Sequence, residues 1–347
     1  MEKKKILVIG NFGYRTNQLD GQTVKTRNIY ELLLRNKQIV DYYDTQDYQS
    51  NPFSLFVMIW KLINIDTLIL IPCVSNLTYF FPFSFFLSKI FRFNIIHICV
   101  GGWQLEYFKG NEKFKKHNLQ LKLSKKIKVF MPQTESVTYS LIREFSFKNI
   151  ETLNNFRIFK YEKTKIYSTS KLKLVFMARI NMKKGYDTIF NFLDFAKDNN
   201  LDVIVDFYGP IELEYKSDFE NKLHNYKDVA NYKGILNGNE IYTTLSKYDL
   251  LLLPTKFYTE GFPGSILDAY ISGIPVLVTK WKYALEFVEN NKTGFIVSFD
   301  NCQDEFNERI LSLYNDRNML ERMKKYAREE SNKYSFDSAW QTIKKYL

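Results

Sequence analysis

The chain alternates short apolar runs with segments of helical spacing. Residues 6–9 form a continuous apolar run, which reads as a buried strand. A loop over 10–22 follows, then a helix over 23–34 with Val24, Ile29, Leu32 and Leu33 at helical intervals. Further strands are predicted at 67–71, 94–100 and 129–132, with a helix over 135–144. Residues 154–170 turn polar and basic and read as a linker. The theme then restarts, with strands at 174–177, 203–208, 231–234, 250–253 and 276–279 and helices at 187–197 and 241–246. Two closing helices are expected at 305–314 and 318–331. Strands alternating with helices imply βαβ units and parallel sheets, here in two successive halves. Ligands of such sheets sit at the carboxyl ends of strands, and between two such halves a facing cleft is the default site.

The richest stretch is 259–279, TEGFPGSILDAYISGIPVLVT. Glu260 precedes the turn Gly261, Phe262, Pro263, Gly264, and Asp268 follows eight residues after Glu260. A helix is predicted from about Ser265, ended by Gly273 and Pro275. Its first N–H groups, at Gly264 and Ser265, suit a phosphate. Read without context, the same run is a strand, turn and helix with two solvated acids. A second cluster, ARINMKKG, places Arg179, Lys183, Lys184 and Gly185 just past a strand. Two cations at a strand end can neutralise charge growing on a leaving diphosphate, although alone they read as a solvated basic loop.

Together these segments resemble the signature of retaining GT-B glycosyltransferases of glycosyltransferase family 4. That signature has two acids eight residues apart, a Gly-Ile-Pro-Val strand, and an Arg and a Lys-Gly on the preceding loop. Asp268 replaces the family's second Glu, and Ala178 its Gly before the Arg. The resemblance is strongest over 173–299. It implies a GT-B fold of two Rossmann-like doubly wound domains: an acceptor-side domain over 1–165, a nucleotide-sugar domain over 171–334, and a helix over 335–347 crossing back to the first domain. It also implies roles. Arg179 and Lys184 would grip the donor diphosphate, Glu260 would face the donor sugar, and Asp268 would accept from the ribose. The Gly264 and Ser265 N–H groups would hold the β-phosphate, with Gly261, Phe262, Pro263 and Gly209 lining the nucleotide side. In the first half, the loop around Gly10, Gly13, Gly21 and Gln22 would lie by the phosphates. Gly101, Gly102 and Trp103 end a strand on the acceptor side. His97 lies inside that strand and reads first as a core histidine. Glu286, Asn291 and Gly294 match a further family run, with Asn291 in place of a Gly.

Composition narrows the alternatives. The 347 residues carry 49 basic and 38 acidic side chains, a net charge of +11. The basic residues are singles and pairs without an Arg-rich helix or RNA-binding sheet signature, which argues against nucleic-acid recognition. The positive balance suits a nucleotide sugar or an anionic membrane surface. Cys73, Cys99 and Cys302 form no disulfide framework, and a reducing, cytoplasmic setting is expected. No Asp-any-Asp triplet occurs, and His97, His117 and His224 show no ligand spacing, so neither a metal nor another cofactor is expected. Residues 67–88 carry no charge, but Pro72, Ser75, Asn76 and Pro82 favour a strand, loop and apolar helix over a membrane span. Residues 77–93 are aromatic and end near Lys89 and Arg92, which keeps peripheral membrane contact open beside burial in a core. The resemblance implies metal-independent transfer of a sugar, with UDP favoured, to a glycan or lipid-linked glycan, as in capsule, O-antigen or exopolysaccharide assembly. The alternatives are a UDP-GlcNAc 2-epimerase-like enzyme and a non-catalytic nucleotide- or glycan-binding relative.

Overall fold

The computed structural model describes residues 4–16, 18, 20–110, 117–159 and 171–347. The chain divides into two compact units, Met1–Phe159 with Tyr334–Leu347, and Lys160–Lys333. Most of the expected linker, 160–170, lies outside the described residues. Its first residues do not dissolve as the polar pattern suggested. Leu153 and Phe156 join the core of the first unit, and the Asn154 amide donates to the Gln133 carbonyl at 2.8 Å.

The first unit holds five parallel strands: β1 Lys5–Gly10, β2 Ile39–Asp44, β3 Thr67–Ile71, β4 Asn94–Ile98 and β5 Val129–Met131. Their order is β2-β1-β3-β4-β5. The second unit holds six: β6 Leu172–Met177, β7 Val203–Tyr208, β8 Ala230–Tyr232, β9 Leu250–Leu253, β10 Val276–Thr279 and β11 Gly294–Val297. They run parallel in the order β11-β10-β9-β6-β7-β8. Central strands such as TLILI and LLLL are buried throughout, because helices cover both faces of such sheets. Edge strand β2, IVDYYD, is exposed at three of its six residues and mixes polar with apolar residues.

Helix Val74–Phe91 starts eight residues before Pro82 and runs through it. Pro82 has no N–H to give the Thr78 carbonyl, and the Gln120 amide donates there instead at 2.9 Å. The freed acceptor is thereby satisfied, and the helix continues to Arg92, whose left-handed φ of 62° ends it. Among the described residues no helix is long and apolar enough to cross a membrane. The last helix, Phe336–Ile343, belongs to the first unit. Ala339 and Ile343 pack with Ile29, Leu32 and Leu33 of helix Gly21–Arg35. Tyr346 and Lys345 both donate to the Glu151 carboxylate.

Candidate active site

Backbone packing builds the basic loop after β6. Asn181 caps a single 3-10 turn, Met182–Lys184, its side chain accepting from the Lys184 N–H at 3.0 Å. Its amide donates to Glu212 at 2.8 Å. Gly185 then takes φ 78°, and a Cβ there would lie 1.9 Å from the Pro254 carbonyl oxygen. Only glycine permits that approach. Gly209, at φ 131°, meets the Ala178 carbonyl equally closely. The Lys256 N–H donates to the Lys183 carbonyl at 2.8 Å. The loops at the carboxyl ends of β6, β7 and β9 are thus joined through main chain.

The loop after β9 carries Glu260. Its N–H donates to the Phe257 carbonyl, and Phe262, buried, stacks on Phe287 with centroids 4.1 Å apart. This anchoring sets Glu260 against the basic loop, where Lys184 Nζ donates to its carboxylate. Each of these side chains is only 17% exposed. Pro263 leads into helix Gly264–Ser272, and no side chain caps its N-terminus. The far end closes on Gly273, φ 73°, where Arg328 donates to the Ser272 carbonyl at 2.9 Å. Asp268 is 4% exposed. Neither acid is therefore a solvated surface carboxylate.

The structure brings Lys184 and Glu260 together, four residues ahead of an uncapped helix. Arg179 is more than half exposed and lies 3.5 Å from Glu212. Glu286 sits half-buried on the short helix Ala284–Phe287. Asn291 takes a left-handed φ of 64°, which Asn tolerates better than most residues and which accounts for it standing where the resembled family has Gly. Gly294 has no such freedom, since a Cβ would fall 2.2 Å from the Val276 carbonyl oxygen.

The first unit departs further from the expectations. Helix Gly21–Arg35 is capped at its N-terminus by its own sequence. The Asp20 carboxylate accepts from Gln22 and Thr23, both at 2.9 Å, and the Thr23 hydroxyl accepts from the Asp20 N–H in a reciprocal box. The Gln22 side chain turns to the Ile71 carbonyl at 3.4 Å. His97 is a core residue, 2% exposed between Phe81 and Phe130. Burial pushes its imidazole down to about 3, so it stays neutral. Gly101, φ 80°, donates its N–H to Gln133 at 2.8 Å. Gly102 is buried beside it, and Trp103 packs edge-on against Tyr107, on which His117 stacks at 4.0 Å.

Two features escaped the sequence reading. Asn181 was legible as a cap, being an Asn three residues before a Lys-Gly end. Lys25 was not, because a lysine at a helix position reads as solvent-facing. It is 2% exposed and donates to the Leu153 carbonyl at 2.9 Å. Burial lowers its amine to about 7. Among the described residues no group of three or more His, Cys, Asp or Glu side chains could hold a metal ion.

Comparison with known proteins places this geometry in context. Residues 159–330 match the family model described as glycosyl transferases group 1. Sulfoquinovosyl transferase SQD2 of Arabidopsis thaliana is 26% identical over 174 residues, 49% of this chain and 32% of that protein. The poly(ribitol-phosphate) alpha-N-acetylglucosaminyltransferase of Staphylococcus aureus is 26% identical over 240 residues, 67% of this chain and 45% of that protein. The chain thus spans less than half the length of these relatives. The crystal structure of Anabaena Alr3699/HepE in complex with UDP and glucose superposes with a TM-score of 0.75 at 15% identity, over 99% of this chain and 98% of that one. The two parallel-sheet units are those of the GT-B fold.

Proposed function

We propose, from the match of residues 159–330 to the family model described as glycosyl transferases group 1, that this chain is a retaining glycosyltransferase using a UDP-sugar. The observation that carries the reading is the Lys184–Glu260 pair beside the uncapped helix Gly264–Ser272. Lys184, with Arg179 on the same loop, supplies positive charge for a diphosphate. The Gly264 and Ser265 N–H groups supply donors for its β-phosphate. Asp268 would accept from the ribose and Glu260 from the donor sugar. In the reaction, an acceptor hydroxyl oxygen bonds to the anomeric carbon on the face from which UDP departs. The bond from that carbon to the phosphate oxygen breaks, and the departing phosphate takes the hydroxyl proton. Cations and helix N–H groups stabilise the charge that grows on UDP, which needs no bound metal. UDP is favoured because the similar Anabaena structure holds UDP and glucose. The acceptor class is a glycan or lipid-linked glycan, in keeping with the polymer named for the Staphylococcus relative. Three free cysteines suit a cytoplasmic setting.

The deciding experiment is calorimetric titration with UDP, GDP and ADP in EDTA. One diphosphate, UDP, binds, and Lys184→Ala weakens it about tenfold or more, since a charge-assisted contact to phosphate is lost. Binding to none of the three, or binding that requires added metal, rejects the reading.

A further inference from the structure

The face of the first sheet opposite helix Gly21–Arg35 carries a surface that the transfer reaction does not use. The chain steps outward from β1 to β2, then back across to β3 and on to β4. Right-handed crossovers therefore put helices Ser54–Leu62 and Val74–Phe91 on the same face of the sheet, away from helix Gly21–Arg35. Tyr48 ties the two regions, stacking on Phe80 and donating to Asn76 at 2.5 Å. Each helix is apolar on both sides. Met58, Leu62, Leu77 and Phe81 are fully buried against the sheet. Outward, Phe53, Phe56, Trp60, Tyr79, Phe86 and Ile90 are between 53% and 82% exposed. Their intervals of three, four and seven residues place each helix's set on one stripe. So much aromatic surface facing water costs free energy unless something covers it.

Charge identifies what covers it. Between Asp47 and Glu106 the only acid is Asp66, whose carboxylate accepts from the Lys5 N–H. The same stretch holds Lys89 and Arg92, and Lys61, which is paired with Asp41 at 2.8 Å and so adds little to the rim. Helix Asn118–Ser124, packed on Val74–Phe91, and the residues just after it add exposed Lys122, Lys125 and Lys126. An aromatic stripe with a cationic rim fits a bilayer surface, where Trp, Tyr and Phe settle at headgroup depth and lysines meet anionic phosphates. A second copy of the chain would set two cationic rims against each other, which like-charge repulsion opposes. We propose that this face docks the protein on an anionic lipid bilayer, with Phe56, Trp60 and Phe86 inserted among the headgroups.

The test uses the full chain and vesicles of phosphatidylcholine alone or mixed with phosphatidylglycerol, without donor or acceptor. Its outcome is therefore independent of the glycosyltransferase reading. The protein co-sediments with mixed vesicles at low salt and is released as salt rises. Replacing Phe56, Trp60 and Phe86 together by Ser weakens binding about tenfold or more, because apolar insertion is lost. Replacing Lys122, Lys125 and Lys126 by Ser flattens the salt dependence. Trp60 emission shifts to the blue on binding, a change missing in Trp60→Phe. Thermal unfolding like that of the parent shows that the triple variants are folded. No binding to mixed vesicles at low salt overturns the proposal, as does equal binding by the Phe56, Trp60, Phe86 variant. A lipid-free dimer that this variant dissociates would assign the face to self-association instead.

Discussion

Each unit sets an acid just before a helix N-terminus and has a lysine at hand, and the two units pair these groups differently. In the first, Asp20 closes the N-terminus of helix Gly21–Arg35, while Lys25 turns inward to the Leu153 carbonyl. Both side chains there serve the fold. In the second, the acid Glu260 takes the lysine Lys184, and helix Gly264–Ser272 is left without a side-chain cap. A carboxylate at a helix end and a diphosphate compete for the same N–H groups and the same dipole. The acid that precedes the second helix is held by a cation instead of by the helix, which keeps that end available to an anion. The glycine-rich loop of the first unit looks similar in sequence, yet its helix end already carries an anion.

The largest effect expected from this contrast lies at Lys25. Its ordinary value of 10.5 falls to about 7 in the folded protein, mainly through burial, with Arg157 adding to the fall and Cys99 opposing it. Between those two values the unfolded chain holds a proton that the folded chain lacks. Stability therefore rises with pH across that window, on the order of a few kcal/mol in total, and is at its lowest below about 7. Lys25→Met keeps the length of the side chain and removes the proton. Urea unfolding at a series of pH values compares the two proteins. The variant gains most over the parent at low pH, and the gap closes as pH approaches 10.5. A gap that does not change with pH would show that Lys25 is charged in the fold and breaks the contrast with Lys184.

Making the second helix resemble the first gives the next effect. Ser265→Asp puts a carboxylate in the first turn of helix Gly264–Ser272. It supports the helix by about 0.3–1 kcal/mol and competes with a diphosphate for its N–H groups. UDP affinity falls roughly tenfold to a hundredfold, about 1.4–2.7 kcal/mol, while the melting temperature holds or rises. Calorimetry and a thermal melt on the same sample separate the two. Unchanged affinity would place the phosphate elsewhere.

How far this contrast could be read without a structure depended on burial. Strands at 67–71, 203–208, 250–253 and 276–279 occur where the apolar runs put them, because a strand covered on both faces is mainly apolar. Strand β2 was missed because an edge strand alternates Asp and Tyr with Ile and Val and lacks that run. Helix Ser54–Leu62 was missed because SLFVMIWKL is apolar all round, which gives no helical period to detect. The extent of helix Val74–Phe91 was hidden by Pro82, since the side-chain donor that makes this proline tolerable, Gln120, lies 38 residues on. At the site, Lys184 and Glu260 were legible through the motifs that contain them, and their pairing was not, being a contact across 76 residues. Asp20 is the instructive miss. Asp followed three residues later by Thr is a capping pattern, but it lies inside a loop whose glycines suit a phosphate equally well.

That cap supplies the smallest test and the one most specific to the comparison. Asp20→Ala removes the acceptor for the Gln22 and Thr23 N–H groups and exposes the first helix end in the way the second is exposed. Loss of such a cap costs about 1 kcal/mol, visible as a lower urea midpoint with an unchanged slope. The two readings of the first loop diverge here. If the N-terminus of helix Gly21–Arg35 serves the fold alone, UDP binds the variant as it binds the parent, once allowance is made for any unfolded fraction. If that end also meets a phosphate, removing a competing carboxylate tightens UDP. The capped geometry supports the first outcome: the Asp20 oxygen sits 2.9 Å from both N–H groups, and Thr23 holds its backbone in return. Tighter binding in Asp20→Ala would mean that the cap is a gate, and that the helix end it closes can take an anion.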